Sequence, residues 1–313
     1  MNMLDHALFM QCIAFHSYKG GTGKTTIACN LAALLTAKGY NVSLLDLDVY
    51  APSLHAYFDY APEKWVNDLL AGDAGIEDVM VDMTSIVDKY YSKGQSTALN
   101  KKGKLQVGFS SSQKEEIYKL EGGGVTRPTG TKLQLLRRFI QLREDLISDY
   151  YSDFVIIDTS PGIRYWSINS LAIADTLFLT LKLDDLDIEG TKKMVTEIYG
   201  SFTKFGAKSY LLLNRVAGYC MPTTLVSSPR SVPSHDNSST TTTAATITMP
   251  QQSESDFSRA ISNEISMDVI SAIPCYCDIQ FSRKEFLTGL QYPDHPFAKQ
   301  LERLASSVNE IKV

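Results

Sequence analysis

The chain has 313 residues, enough for one large or two small domains, and its 44% apolar content can furnish a substantial core. A formal net charge of −5 offers no bulk attraction for nucleic acid, and 21% charged residues is ordinary for a globular protein. No run approaches the roughly 20 consecutive apolar residues needed to cross a bilayer.

Residues Met1 to Met10 carry Asp5 and no basic start, so they read as the approach to a first strand rather than a signal peptide. The cysteines, Cys12, Cys29, Cys220, Cys275 and Cys277, are odd in number. That points to free thiols in a reducing cytoplasm.

The first predicted strand is Cys12–Ser17. It runs into Lys19-Gly20-Gly21-Thr22-Gly23-Lys24-Thr25-Thr26, and a helix is predicted over Lys24–Ala37. A glycine-rich turn between strand and helix is a phosphate cradle, because its backbone N–H groups turn inward at the positive end of the helix dipole. Lys24 can reach the terminal phosphates, and the Thr25 hydroxyl can hold a magnesium ion. The loop departs from the pattern G-x-x-x-x-G-K-[ST], since Tyr18 stands where its first glycine would be and Lys19 adds a second cation. Lys19 is either a solvent-facing charge that attracts nucleotide or a cation that stabilises a phosphate, including one in a neighbouring subunit.

The second predicted strand, Val42–Asp46, leads through Leu47 to Asp48, and carboxylates there can orient metal-bound or attacking water. A third strand is predicted at Leu105–Phe109. Gly122 to Gly130 reads as a loop entering the helix predicted at Leu133–Asp149. The strand Phe154–Asp158 is four apolar residues ending in a carboxylate, the arrangement that projects one Asp toward magnesium. Gly162, four residues on, can bring a backbone N–H to a terminal phosphate.

Strand Thr176–Leu181, helix Ile188–Phe205 and strand Tyr210–Asn214 follow. Asn214 offers an acceptor and donors to a base edge, with Arg215 beside it. From Met221 to about Asp256 the chain is rich in Ser, Thr and Pro and reads as a flexible insertion, with a regulatory loop as the alternative. Strand Val269–Ile273 then reaches Pro274 and Cys275-Tyr276-Cys277, a C-x-C that supplies only two metal ligands. The last helix, Phe297–Ile311, has an apolar stripe suited to packing on the domain.

Short apolar strands alternating with helices predict a single α/β domain, a mostly parallel twisted sheet with helices on both faces and ligand at the strand C-termini. Basic residues such as Lys101, Lys102, Lys104, Arg137 and Arg138 read as solvated surface.

The eight-residue loop resembles the deviant Walker A motif of the ParA/MinD family of P-loop ATPases, and the resemblance runs from about Cys12 to the end, apart from the insertion. It implies an ATP- and magnesium-dependent switch that homodimerises with ATP and hydrolyses it, to partition or position DNA or a protein cargo with the help of a protein activator. It also implies roles for single residues. Lys19 would reach the partner's ATP, and Asp48 would position the attacking water. Thr25, Asp46, Asp48 and Asp158 would surround the metal. Gly162 would lie in switch II, Tyr50–Ser53 in switch I, Asn214 would read adenine, and the backbone after Ile273-Pro274 would close the base pocket.

Two further classes stay open. Asp46-Leu47-Asp48-Val49-Tyr50-Ala51-Pro52-Ser53 looks like the segment of Mrp-type iron–sulfur carriers, although their C-x-x-C pair is absent. An ATP-binding adaptor of a positioning or motility machine is the other. No stable membrane anchor is expected.

Overall fold

A computed structural model describes residues 10–94, 103–113, 130–204, 206–216, 251–276, 279 and 286–311. Its described strands form one eight-stranded sheet in the order β3-β4-β2-β5-β1-β6-β7-β8. They are β1 (Gln11–His16), β2 (Val42–Leu47), β3 (Met80–Asp82), β4 (Leu105–Gly108), β5 (Phe154–Thr159), β6 (Thr176–Leu181), β7 (Lys208–Val216) and β8 (Val269–Pro274). Every pairing is parallel except β3 with β4.

β1, β2, β5 and β6 are buried along their whole length, the consequence of uninterrupted apolar runs that need cover on both faces. One face packs on helix α1 (Lys24–Ala37), together with α5 (Thr84–Gly94), α11 (Thr288–Gln291) and α12 (Pro296–Glu310). The other is covered by α3 (Val66–Ala71), α4 (Ile76–Val79), α6 (Gly130–Ser148), α7 (Tyr165–Leu171), α8 (Asp185–Met194) and α10 (Gln251–Ile265). Two short helices, α2 (Leu54–Phe58) and α9 (Gly200–Lys204), complete the described set.

All seven predicted strands are present within a residue or two of their expected ends. β3 was not anticipated; it is three residues long and pairs Met80 with Gly108 at the sheet edge. Short edge strands of this kind carry little periodic signal. The helices between residues 54 and 94 were likewise not assigned, because each of the first three spans only four to six residues.

The helix predicted over Ile188–Phe205 is three pieces. α8 starts earlier, capped by the Asp184 carboxylate accepting from Asp187 N at 2.9 Å. A π-helical turn, Val195–Tyr199, then widens the coil and seats the Tyr199 ring in the core before α9. The predicted insertion ends sooner than expected. Residues 221–250 lie outside the described residues, but α10 already begins at Gln251, and Phe257, Ile261 and Ile265 supply the apolar face at helical spacing. Most of the loop expected at Gly122–Gly130 also lies outside them, with Gly130 opening α6.

α12 buries Phe297, Leu301, Leu304, Ala305 and Val308 against α1 and β8, which makes it part of the core. No described helix is long and apolar enough to cross a membrane. We expect Leu301→Ala to lower unfolding stability by about 2–5 kcal/mol in urea denaturation, the cost of a cavity in a closed core. An α12 serving only as a detachable surface helix would give a change near zero.

Candidate nucleotide site

The parallel strands bring the C-terminal tips of β1, β2, β5 and β7 to one edge, and the predicted residues meet there. The Lys19–Lys24 turn joins β1 to α1. Gly23 takes φ +93°, and an added Cβ would run into the Asn214 amide, so only glycine fits. Lys24 is buried, and its Nζ donates to Ser17 Oγ at 2.8 Å; that hydroxyl donates in turn to the Lys19 carbonyl at 2.6 Å. Burial pulls the Lys24 ammonium below its ordinary pKa, while Asp158, Asp48 and Asp187 pull it back up.

Thr25 Oγ1 donates to Asp158 Oδ2 at 2.5 Å, while Asp158 Oδ1 is buried with no hydrogen-bond partner among the described residues. An unpaired buried carboxylate oxygen beside a threonine hydroxyl suits a hard divalent cation held by oxygen ligands. Asp48 Oδ1 accepts from Ser160 Oγ at 2.7 Å and from Ala51 N at 3.1 Å. This joins the loop after β2 to the loop after β5. Arg164 adds a second tie by stacking over the Tyr50 ring, 4.2 Å from its centroid.

Asp46 has partners of its own at the site. It pairs with Asp158 across the β2–β5 ladder, fully buried, and it accepts from three backbone N–H groups: Asp48 at 3.0 Å, and Ser53 and Leu54 at 3.1 Å. The carboxylate therefore organises the loop that leads into α2. Its pKa lies well above the usual range, raised by burial and Asp158, with the N–H bonds from Leu54 and Asp48 offsetting part.

The Gly162 N–H donates to the Ser17 carbonyl at 2.8 Å, so a ligand that takes it must displace that bond. Asn214 lies against the turn, donating to the Thr22 carbonyl at 2.7 Å and accepting from Arg215 N at 2.9 Å. A register shift between Asn214 and Val216, with Arg215 at φ +57°, turns Arg215 to a cleft it shares with Gly23, Thr26, Pro274, Cys275 and Tyr276. Gly20, Gly21 and Thr22 complete the turn, whereas Cys277 lies outside the described residues.

Lys19 stands at the mouth, its Nζ 3.1 Å from Asp184 Oδ1, with both side chains substantially exposed. Sequence reasoning missed Asp184, Ser17, Ser160 and Lys182, whose Nζ lies 3.6 Å from where a Gly21 Cβ would sit. Ser17 and Ser160 flank the motifs that were read, so they were within reach. Asp184 and Lys182 lie far from the turn in sequence, Asp184 165 positions from Lys19, and the β1–β6 pairing makes them neighbours.

Residues 13–228 match the model of the CobQ/CobB/MinD/ParA nucleotide-binding domain. The chain belongs to this family.

Among curated relatives it is 30% identical over 205 residues to a putative replication protein A of Rhizobium rhizogenes, covering 63% of this chain and 48% of that one. It is 29% identical over 178 residues to the chromosome-partitioning ATPase Soj of Treponema pallidum, covering 57% and 59%. The matched regions thus span about half to three fifths of those relatives. Among solved structures, the septum site-determining protein MinD of Pyrococcus horikoshii, complexed with Mg-ADP, superposes with a TM-score of 0.64. It is 19% identical and covers 96% of this chain and 97% of that one, a likeness of fold. The family model is that of a nucleotide-binding domain, and the eight-stranded, mostly parallel sheet is the P-loop NTPase fold.

Burial raises the Asp158 carboxyl to about 6, with Lys24 and Thr25 lowering it and Asp48 raising it again. The folded protein therefore binds this proton more tightly than the unfolded chain, whose Asp titrates near about 4. The stability involved is fully present below that value and is lost as pH rises through about 6. We expect Asp158→Asn to raise the melting temperature of the ligand-free protein by several degrees near neutral pH, and the gain to shrink as pH falls towards about 4. Circular dichroism melts across pH check this; a gain independent of pH would contradict it.

Proposed function

We propose that the chain is an ATP-driven switch that binds Mg-ATP, dimerises with it and is released by hydrolysis, in the service of partitioning or positioning a DNA or protein cargo. The observation that carries this reading is the convergence of Lys24, the Thr25–Asp158 pair and the Asp48–Ser160 pair on one glycine-rich turn. Family membership supports the nucleotide, and the names of its relatives, a partitioning ATPase and a site-determining protein, support the cargo class.

Thr25 and Asp158 would hold magnesium, which supplies charge neutralisation on the phosphates when bound. Asn214, Arg215 and the backbone at Pro274 would receive the base. Lys24 balances charge on the terminal phosphoryl group, and Asp48, oriented by Ser160, positions a water for in-line attack on it. The water oxygen bonds to phosphorus as the bond to the ADP oxygen breaks, so catalysis is positional and electrostatic.

Lys19 supports the dimer. A second cation at the turn mouth, held by an exposed carboxylate, has no partner in its own site that burial would lock in place. Exposed ion pairs contribute little, so Lys19 can leave Asp184 for a stronger anion such as a phosphate across an interface.

Lys19→Ala is expected to leave ATP binding measurable while lowering ATP-dependent dimerisation and reducing turnover, by roughly 10³-fold if Lys19 acts as a finger in trans. Light scattering with ATP and a phosphate-release assay test this, and full activity in the variant would sink the dimer reading. Asp184→Asn is expected to act oppositely, freeing Lys19 and raising dimer formation at a given ATP concentration.

A further inference from the structure

His16 ends β1, three residues before Lys19 opens the phosphate turn, and none of the roles above involves it. Its ring is fully buried. Nε2 lies 3.0 Å from the carbonyl oxygen of Gly162, in the loop after β5. A carbonyl only accepts, so Nε2 carries the proton and Nδ1 keeps its lone pair, and Nδ1 is buried without a partner among the described residues. A buried nitrogen left unsatisfied is costly, and an apolar side chain would fill this strand end without that cost. What histidine adds is the donor.

That donor completes a two-sided clamp. Gly162 N–H donates to the Ser17 carbonyl at 2.8 Å, and Gly162 C=O accepts from His16 and, at 3.0 Å, from Arg164 N. Gly162 sits at φ +79°, so the peptide is held in a conformation glycine alone adopts readily. Behind the imidazole stands the Tyr199 ring, 6.2 Å away between centroids and delivered by the π-helical turn, an element often found at functional sites. Burial, with Lys24 nearby, pushes the imidazole down to about 3, so it stays neutral across the ordinary range.

We propose that His16 is a positioning residue for the loop after β5. It holds the Gly162 peptide on the end of β1 until a ligand in the phosphate turn competes for the Gly162 N–H. The loop it holds carries Ser160, bonded to Asp48, and Arg164, stacked on Tyr50, so the clamp sets the loop after β2 as well. The link to a terminal phosphate rests on the ATP reading above, but the clamp itself is a property of the ligand-free chain.

His16→Phe keeps a ring and removes the donor, whereas His16→Gln places an amide N–H near the position of Nε2. Hydrogen–deuterium exchange of the ligand-free protein should show amides of the 159–164 segment exchanging about fivefold faster in His16→Phe, as loss of one hydrogen bond of about 1 kcal/mol gives. They should return to the wild-type rate in His16→Gln. Calorimetry should show a non-hydrolysable ATP analogue binding about fivefold tighter to His16→Phe, with ADP unchanged, since ADP lacks the phosphate that competes. Unchanged exchange in His16→Phe, no rescue by His16→Gln, or equal shifts for both nucleotides would overturn the proposal. If His16→Phe fails to fold, His16→Asn, whose amide is one methylene too short, takes its place. Wild-type protein that binds neither nucleotide would refute the ATP reading alone, and the exchange comparison would still decide the clamp.

Discussion

A buried lysine held among carboxylates at the tips of parallel strands is the constraint around which the site is organised. Lys24, Asp46 and Asp158 are each almost completely withdrawn from water, and such groups are tolerable only when paired or hydrogen-bonded. Ser17, Thr25 and the N–H groups of Asp48, Ser53 and Leu54 supply those partners. The strand-tip loops are therefore shaped by charges they must satisfy. Asp158 Oδ1 has no hydrogen-bond partner among the described residues, which suits a cation there.

The same arrangement explains how the loops communicate. The loop after β5 is tied to the turn after β1 by Gly162 to Ser17, and to the loop after β2 by Ser160 to Asp48 and by Arg164 over Tyr50. A displacement of one changes the partners of the others. Coupling of this kind is what the proposed nucleotide-sensing switch requires. α8 and its π-helical extension back the assembly from one side, with Asp184 against Lys19 at one end and Tyr199 against His16 at the other.

Much of the site was legible because its chemistry is local. Lys19 to Thr26 are contiguous, and Asp48, Asp158 and Asn214 each end an apolar run that could only be a buried strand. What local pattern missed was competition. Asp46 and Asp48 look alike in sequence, yet the loop folds back so that Asp46 takes the backbone N–H groups and Asp48 takes Ser160. Gly162 was expected to offer its N–H to a ligand, but in the ligand-free chain the neighbouring strand end takes that hydrogen bond first. The short helices between residues 54 and 94 failed for another reason: four to six residues are too few to establish a 3.6-residue period.

The sequence by itself determined the fold class, the strand tips that carry chemistry and the helix faces that form the core, since apolar periodicity and glycine placement act over a few residues. Only the tertiary structure decided which carboxylate takes the backbone N–H groups, that Lys19 rests on Asp184, and that His16 holds Gly162. The last two outcomes depend on strand order. β1 lies between β5 and β6, and that placement brings residues 146 and 165 positions away within hydrogen-bond reach of the phosphate turn.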